Sequence, residues 1–350
     1  MVGTVDVTGK TISINFGKEV PDVTVLMSVY NGERWLEEVI RSILGQTFAN
    51  FEFVIVNDGS TDSSLKIIKR FAGQDSRIHI IDKPNSGLAD SLNQGINIAR
   101  GKWIARIDAD DLCEPERLFM QYAFAQKDPS LVLIGTGLRV IDQYGKLIKK
   151  YYYPKSHKAL LSRLTSAQAF FAHSSAFYKA EVVKAIGGYR KRIKRSQDLD
   201  LWLRLSEVGC LACIDKPLVS IRQHDDQVTH EDGGKRQILD ACIALISYWS
   251  RCQEFDDPVS LVYSDANFMY FQEWVFKRLS QEKIFENYAS AKQLRKQILC
   301  KSYSLPALLK ALPILLGKIR IVLQYLYQKV LGESFTKRLS LEWELMHRKY

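Results

Sequence analysis

GKWIARIDADD, residues 101–111, joins a short apolar run to three carboxylates. The run from Trp103 to Ile107 is typical of a buried central strand. It ends at Asp108, Asp110 and Asp111, three acids that repel one another unless a cation lies between them. Hard oxygen ligands suit Mg²⁺ or Mn²⁺, and open α/β sheets bind ligands at the carboxyl ends of their parallel strands. The stretch therefore predicts a metal site that holds a diphosphate. The alternative is a solvated turn in which Asp111 caps the next helix.

Four β-α units make up the sequence around this stretch. Apolar runs predict strands over 23–29, 51–56, 77–81 and 103–107, and helical spacing predicts helices over 33–45, 63–71, 88–99 and 115–126. A strand over 131–141, a hairpin partner over 147–153 and a short strand from His173 follow. Short connections between the repeats predict an α/β fold, a mostly parallel, doubly wound sheet with its loops gathered at one edge.

Each loop after a predicted strand carries polar residues that a plain connector would not need. Tyr30 and Asn31 offer a ring and an amide to a planar base, and Asp58 can accept hydrogen bonds from a base or a ribose. Asn85 and Gly87 allow a close backbone approach at a helix start whose N–H groups attract anions. For any single loop, helix capping and turn formation explain these residues equally well. Their convergence on one sheet edge favours a ligand site.

Composition is that of an ordinary globular protein, with 46% hydrophobic and 25% charged residues. The 350 residues predict a larger α/β domain with an appendage. Of the formal net charge of +10, a net +6 falls after residue 300, where nine Lys and Arg oppose three Glu. The six cysteines are scattered, and no charged region followed by an apolar run opens the chain. These features predict reduced thiols, no signal peptide and a cytoplasmic location.

Four ordered motifs resemble the signatures of a known family. SVYNG at 28–32, VNDGSTD at 56–62, NSGLADSLNQGI at 85–96 and the stretch 101–111 resemble the inverting glycosyltransferases of family two, which have the GT-A fold. The resemblance covers about residues 23–230 and is to members of bacterial polysaccharide, O-antigen or capsule type. It implies a nucleotide-sugar donor, usually a UDP-sugar, and a divalent ion, Mn²⁺ or Mg²⁺.

The resemblance also implies roles for individual residues. Tyr30 and Asp58 would contact the base, Asp108 the ribose, and Asp110 the metal ion that bridges the two phosphates. Together with the loop residues above, the nucleotide-binding candidates are Tyr30, Asn31, Asp58, Asn85, Gly87 and Asp108.

The segment QDLDLWLR at 197–204 resembles the family's Glu-Asp-x-Asp-Leu-Trp motif, whose second residue is the general base. The resemblance therefore makes Asp198 the catalytic base, with helix capping as the alternative. Gln197 stands where the family commonly has Glu, which removes a like charge beside the base. Asp200 and Trp202 are predicted to position the acceptor.

Two histidines and one arginine complete the predicted site. His224 follows Arg222 in IRQHD, a stretch in which the sequences it resembles often have a His after an Arg, and is therefore a candidate metal ligand or phosphate contact, although lone histidines are usually neither. Arg222 is suited to pair with a phosphate, and His173 is a weaker candidate for the acceptor side.

After residue 230 the pattern is helical, with helices predicted over 235–251, 258–279, 284–300 and 305–331. The last segment is apolar but contains Lys310, Pro313, Lys318 and Arg320, so it lacks the ~20 uncharged residues needed to span a bilayer. An amphipathic contact with the anionic inner face of the cytoplasmic membrane and a buried helical bundle both fit it. The predicted domains are an extension over 1–20, the catalytic domain over 21–230 and a helical region over 231–350.

The sequence thus predicts a metal-dependent inverting glycosyltransferase that acts on a saccharide or lipid-linked glycan. A catalytically silent sugar-nucleotide-binding homologue and a nucleotidyltransferase on a similar fold are the alternatives. Neither GxGxxG after the first strand nor a P-loop occurs, which disfavours dehydrogenases and kinases. A nucleic-acid partner is not expected, because the basic residues of the tail alternate with apolar ones.

Overall fold

The computed structural model describes residues 3–5, 11–13, 20–165, 170–224, 235–252, 254 and 257–261, with a few positions between 268 and 280. The strands are β1 Gly3–Val5, β2 Thr11–Ser13, β3 Val23–Val29, β4 Phe51–Asp58, β5 Ile78–Lys83, β6 Trp103–Ile107, β7 Leu112–Cys113, β8 Leu131–Ile141, β9 Leu147–Tyr151, β10 Phe177–Lys179 and β11 Cys210–Arg222. The helices are α1 Glu33–Leu44, α2 Ser64–Ala72, α3 Leu88–Ile98, α4 Arg117–Ala125, α5 His157–Thr165, α6 Ala180–Ala185, α7 Gln197–Val208, α8 Lys235–Cys252 and α9 Pro258–Leu261. The predicted helices over 284–300 and 305–331 lie outside the described residues.

One mixed sheet carries the fold. Its order is β5-β4-β3-β6-β10-β8-β11-β7, and β9 pairs with β8. Strands β5, β4, β3 and β6 are parallel, which confirms the predicted mostly parallel α/β sheet. Strand β10 runs antiparallel to both β6 and β8, and β8 and β11 are parallel to each other. Because β6 and β8 are both antiparallel to β10, their carboxyl ends lie at the same edge of the sheet. Strands β1 and β2 form a separate antiparallel pair within the predicted N-terminal extension.

Helices cover both faces of the parallel half. Successive side chains of a strand point to opposite faces. Val25 and Met27 of β3 join a buried cluster that includes Leu36 of α1, whereas Leu26 points to Gly95 of α3. A near-continuous apolar strand is what such two-sided burial requires, and this explains the sequence of β3.

The connection between α3 and β6 is closely packed. Gly101 donates its N–H to Oγ1 of Thr24 over 2.9 Å, and a Cβ built on Gly101 would lie 2.3 Å from the backbone N of Thr24. We therefore expect Gly101→Ala to lower the free energy of unfolding by about 3 kcal/mol, the upper end of overpacking effects, because backbone atoms cannot rotate away.

Urea denaturation of the two proteins, followed by circular dichroism, measures this difference. Gly73→Ala is the matched control, since a Cβ there would meet only ordinary contacts at 3.6 Å. Equal unfolding midpoints for Gly101→Ala and the wild-type protein would contradict the expectation.

Two segments differ from the sequence prediction. The strand expected from His173 begins only at Phe177, because His173–Ser175 forms a 3-10 turn. The long strand β11 was not predicted, since Asp215, Lys216 and Pro217 interrupt its apolar pattern. The ladder between β8 and β11 accommodates this interruption with register shifts on both sides of Pro217. Proline has no N–H to donate, and such irregularities are where sheets tolerate it.

The chain divides into two compact units. The first comprises residues 1–161, 169–191 and 204–225 and contains the whole sheet. The second comprises residues 162–168, 192–203 and 226–350. The predicted domain boundaries at residues 20 and 230 remain predictions. None of the described helices combines the length and hydropathy needed to cross a membrane.

Candidate active site

The three carboxylates after β6 form a tight group. Asp108, Asp110 and Asp111 each place one oxygen within 4.8 Å of the others. Asp111 is buried, accepts the N–H of Arg222 over 2.9 Å and also accepts the hydroxyl of Ser174. Helix α4 begins only at Arg117. Asp111 is therefore not the cap of that helix, and the alternative of a solvated turn is wrong for this residue.

Arg106 pairs with the first of these carboxylates. Its guanidinium is buried, and Nη1 and Nη2 donate to the two oxygens of Asp108. Ser174 supports the pair, because its Oγ accepts the N–H of Asp108 over 3.0 Å and accepts from Arg106 over 3.1 Å. Each carboxylate oxygen has a second lone pair, so Asp108 keeps acceptor capacity for a ligand hydroxyl.

The electrostatics of the group favour a bound cation. Burial, together with the charge of Asp108, raises the pKa of Asp110 above its ordinary value. Burial and the two neighbouring carboxylates raise the pKa of Asp111 well above its ordinary value. Burial would also raise the pKa of Asp108, but the charge and hydrogen bonds of Arg106, together with smaller contributions from His173 and Ser174, hold that pKa below its ordinary value. One arginine thus balances only part of the negative charge, and hard carboxylate oxygens fit a Mg²⁺ or Mn²⁺ ion.

His224 lies against the second carboxylate. Its Nε2 is 3.0 Å from Oδ2 of Asp110, and its Nδ1 is buried without a hydrogen-bond partner among the described residues. The ring of Trp35 lies 4.3 Å from the imidazole, centroid to centroid. The buried Arg222 donates from Nε to the backbone oxygen of Asp110 over 3.1 Å and from Nη2 to Glu38 over 2.8 Å. The structure therefore brings together Asp110 and His224, the two predicted metal ligands, and places Arg222 beside them, while the roles of all three stay predictions.

The four polar loops meet at this edge of the sheet. The N–H of Thr61 donates to Oδ1 of Asn31 over 2.8 Å, which joins the first loop to the second. A Cβ built on Gly59 would lie 2.6 Å from the backbone N of Asn85, which brings the second loop against the third. The first loop also contacts the acidic stretch, because a Cβ built on Gly32 would lie 3.4 Å from the Cβ of Ala109, the residue between Asp108 and Asp110 in the sequence. Tyr30 is exposed beside them, with 56% of its surface accessible.

Asp58 organises the third loop. Its carboxylate accepts the backbone N–H groups of Ser86 over 2.9 Å and of Gly87 over 3.0 Å, and it pairs with Lys83. Gly87 has a φ of 90°, a conformation that glycine adopts without strain. Asp58 therefore shapes the turn at the start of α3, and its predicted contact with a base stays a prediction.

His173 contacts an aromatic pair beside the carboxylates. Its Nε2 is 2.7 Å from the hydroxyl of Tyr189, which lies 3.5 Å from the hydroxyl of Tyr178. Burial and the charge of Arg106 hold the pKa of His173 well below its usual range, so the imidazole is neutral. Its predicted role on the acceptor side stays a prediction.

The remaining predicted residues lie in the second unit, on the first turns of α7. Asp198 is half-buried, whereas Asp200 and Trp202 are buried. The segment that leads into α7 is fixed by α8, because Oδ2 of Asp240 accepts the N–H groups of Lys194 and Arg195, each over 2.9 Å. Their catalytic and positioning roles stay predictions.

Comparison with known proteins gives the family. The model of "Glycosyl transferase family 2" matches residues 24–187. The putative glycosyltransferase EpsE of Bacillus subtilis is 37% identical over 211 residues, which are 59% of this chain and 74% of EpsE. The chain belongs to glycosyl transferase family 2. The O-antigen biosynthesis glycosyltransferase WbnJ of Escherichia coli is 32% identical over 184 residues, 52% of this chain and 71% of WbnJ. Other relatives are much longer, and the chain covers only 21–28% of their length.

A solved structure of S. aureus TarS in complex with UDP-GlcNAc shares the fold, with a TM-score of 0.55 over 88% of this chain and 92% of that one. Its sequence identity of 16% makes this a statement about the fold alone. The chain is thus a GT-A glycosyltransferase of the bacterial polysaccharide type, and the resemblance drawn from its four motifs is confirmed.

Sequence reasoning missed several residues of this family 2 site. Arg106 carried a signal, because a charged residue inside the apolar run 103–107 requires a buried partner, and alternation along a strand puts positions 106 and 108 on one face. Ser174 and Trp35 gave no such signal, since their contacts with the loop after β6 depend on the tertiary fold.

The pairing of Arg106 with Asp108 leads to a prediction. We expect Arg106→Lys to weaken donor binding about tenfold, at the lower end of what partners of a metal site contribute, because lysine keeps the charge but cannot hold a carboxylate with two parallel N–H groups. Calorimetry with UDP and Mn²⁺ measures the affinity. Arg139→Lys, which alters a more exposed pair with Glu114, is the control. An affinity equal to that of the wild type would show that donor binding does not require the two parallel hydrogen bonds from Arg106 to Asp108.

Proposed function

We propose that this family 2 enzyme is a metal-dependent inverting glycosyltransferase that transfers a sugar from a UDP-sugar to a hydroxyl group of a saccharide or lipid-linked glycan. The observation that carries the proposal is the group Asp108, Asp110 and Asp111, three carboxylates within 4.8 Å at the end of a central parallel strand. Asp110 and Asp111 have raised pKa values, because burial and the neighbouring carboxylates disfavour their charged forms. A divalent ion bound between the carboxylates would favour the charged forms.

The donor side is built from the loops at this edge. Asp110 and His224 would hold a Mn²⁺ or Mg²⁺ ion, since they already contact each other. Bound there, such an ion supplies positive charge next to the diphosphate leaving group. Asp108, which Arg106 holds in place, is proposed to accept a ribose hydroxyl, and the exposed Tyr30 is proposed to contact the base. The TarS complexes with UDP-GlcNAc and with UDP support a uridine nucleotide on this fold.

Catalysis also needs a base. In an inverting transfer, the oxygen of the acceptor hydroxyl attacks the anomeric carbon from the face opposite the diphosphate, and a base takes the proton of that hydroxyl. Asp198, at the start of α7, is the proposed base. Arg222, whose backbone N–H donates to Asp111 and whose guanidinium donates to Glu38, is the proposed positive charge near the diphosphate oxygens.

The biological reaction is proposed to be a step of cell-surface polysaccharide synthesis. The similarity to WbnJ, named for O-antigen biosynthesis, supports this assignment. We propose that the enzyme works in the cytoplasm, at the inner face of the cytoplasmic membrane.

Calorimetric titration with UDP, GDP and CDP, each with Mn²⁺ and with EDTA, tests the donor half of the proposal. We expect UDP to bind in the presence of Mn²⁺ and to lose most of its affinity in EDTA. Metal-independent binding would overturn the proposed role of the carboxylates. Absence of binding to all three nucleotides would favour a catalytically silent homologue.

A further inference from the structure

The hairpin of β8 and β9 exposes an unusual combination of side chains. We define the hairpin surface as Tyr144, Lys146, Leu147, Ile148, Lys149 and Lys150, all of which are exposed. Tyr144 is 83% exposed, Leu147 48% and Ile148 55%. No Asp or Glu occurs from residue 143 to residue 180, so the local charge is strongly positive.

The charges of this surface are not neutralised by the protein. Lys146, Lys149 and Lys150 form no salt bridge with any residue in the described part of the chain. Lys149 instead lies over the ring of Tyr151, 4.7 Å from its centroid. Lysines alone would be expected on an edge strand, where they prevent pairing with other sheets. That explanation does not account for the exposed Leu147 and Ile148.

The turn of the hairpin is closed by hydrogen bonds and contacts the candidate active site. Oδ1 of Asp142 accepts the N–H groups of Tyr144 and Lys146, each over 2.9 Å. The backbone oxygen of Gln143 accepts from Nη1 of Arg222 over 3.3 Å, and Arg222 in turn contacts Asp111. The turn of the hairpin therefore lies at the same sheet edge as the three carboxylates, and β9 runs back from it along β8.

We propose that the hairpin surface docks on an anionic lipid bilayer. Lysines are attracted to anionic headgroups, tyrosines prefer the interface between headgroups and acyl chains, and short aliphatic side chains gain by leaving water. An anionic polysaccharide would match the lysines and the tyrosine, but it would leave the Leu147–Ile148 pair in water. Leu147 and Ile148 point to opposite faces of β9, so both leave water only when the edge of the hairpin enters the bilayer interface, where the lysines meet the anionic headgroups.

Docking in this manner turns the carboxylate edge of the sheet toward the membrane. An acceptor carried on a lipid would then reach the site without leaving the bilayer surface. This consequence rests on the proposed function, whereas binding to the bilayer does not.

Sedimentation of the full chain with vesicles tests the proposal. The vesicles contain phosphatidylcholine alone or phosphatidylcholine with phosphatidylglycerol. We expect binding to the anionic vesicles only, and we expect Lys146→Gln, Lys149→Gln and Lys150→Gln, combined, to weaken it by about tenfold or more. The matched control replaces Lys66, Lys69 and Lys127 by Gln, three exposed lysines elsewhere on the same unit. It should bind like the wild type.

A second variant separates the apolar contribution. Leu147→Ser combined with Ile148→Ser leaves the charge intact, and we expect it to weaken vesicle binding, most clearly at high salt, where lysines are screened. Calorimetry with UDP checks that each variant keeps the donor affinity of the wild type, so failure of the donor proposal would be seen separately.

Undiminished vesicle binding by both variants would overturn the inference. Loss of binding to a soluble polyuronate, with vesicle binding unchanged, would assign the surface to an anionic polysaccharide instead.

Discussion

Replacing Asp198 by Asn is expected to reduce kcat by about 100-fold or more while leaving the affinity for the nucleotide donor nearly unchanged. Asparagine keeps the size and hydrogen-bonding shape of the side chain but cannot take a proton from the acceptor hydroxyl. The loss should therefore fall on the chemical step. Turnover assays with saturating donor, together with calorimetry of donor binding, separate these two quantities.

The pH dependence of the reaction makes this test specific. For the wild-type enzyme, the rate should fall on the acid side as the base becomes protonated, and Asp198→Asn should remove that limb. Glu207→Gln removes a carboxylate from the last turn of the same helix and is the control. Wild-type turnover in Asp198→Asn would contradict the assignment, and so would an equal loss in Glu207→Gln.

The sequence predicted the parallel half of the sheet well, for a physical reason. Strands buried on both faces appear as continuous apolar runs, and polar loops mark their ends. The bounds of β3 and β8 were predicted to the residue on this basis. The rules of connection between parallel strands then gave the edge at which the loops meet.

The antiparallel part was harder to predict. Strand β10 has only three residues, which is too short for any period to be visible. Strand β11 is long, but Asp215, Lys216 and Pro217 interrupt its apolar pattern. Its place in the sheet is set by pairing with β8, about 80 residues earlier in the chain, and local sequence does not encode such a pairing.

The candidate site likewise combines residues that the sequence predicted with contacts that it did not predict. The acidic group was predicted from residue type and order, and His224 from its place in a stretch that resembles related sequences; the structure brings Asp110 and His224 together. The contacts that orient the group come from elsewhere in the fold: Arg106 holds Asp108, and Ser174, 63 positions after Asp111, donates to its carboxylate. Residue types suited to a ligand are visible in a sequence, whereas the partners that hold them in place depend on the packing.

Asp110→Asn is expected to weaken metal-dependent binding of UDP by more than about 100-fold, because partners that merely support a metal ligand already contribute 10–100-fold. Asparagine is a neutral ligand, so the carboxylate group would lose one negative charge while Asp108 remains neutralised by Arg106. Removing one of several mutually repelling charges also relieves repulsion, so the fold should be at least as stable as that of the wild type.

A loss of UDP affinity without a loss of stability would identify Asp110 as a metal ligand rather than a structural residue. Calorimetry with UDP and Mn²⁺ should show the loss of affinity, while thermal unfolding without metal should show an equal or higher Tm. Asp215→Asn, at an exposed position of β11, is the control for the change of charge and should alter neither. Unchanged affinity in Asp110→Asn would remove this residue from the metal site. A lower Tm with unchanged affinity would make its contact with His224 a structural one.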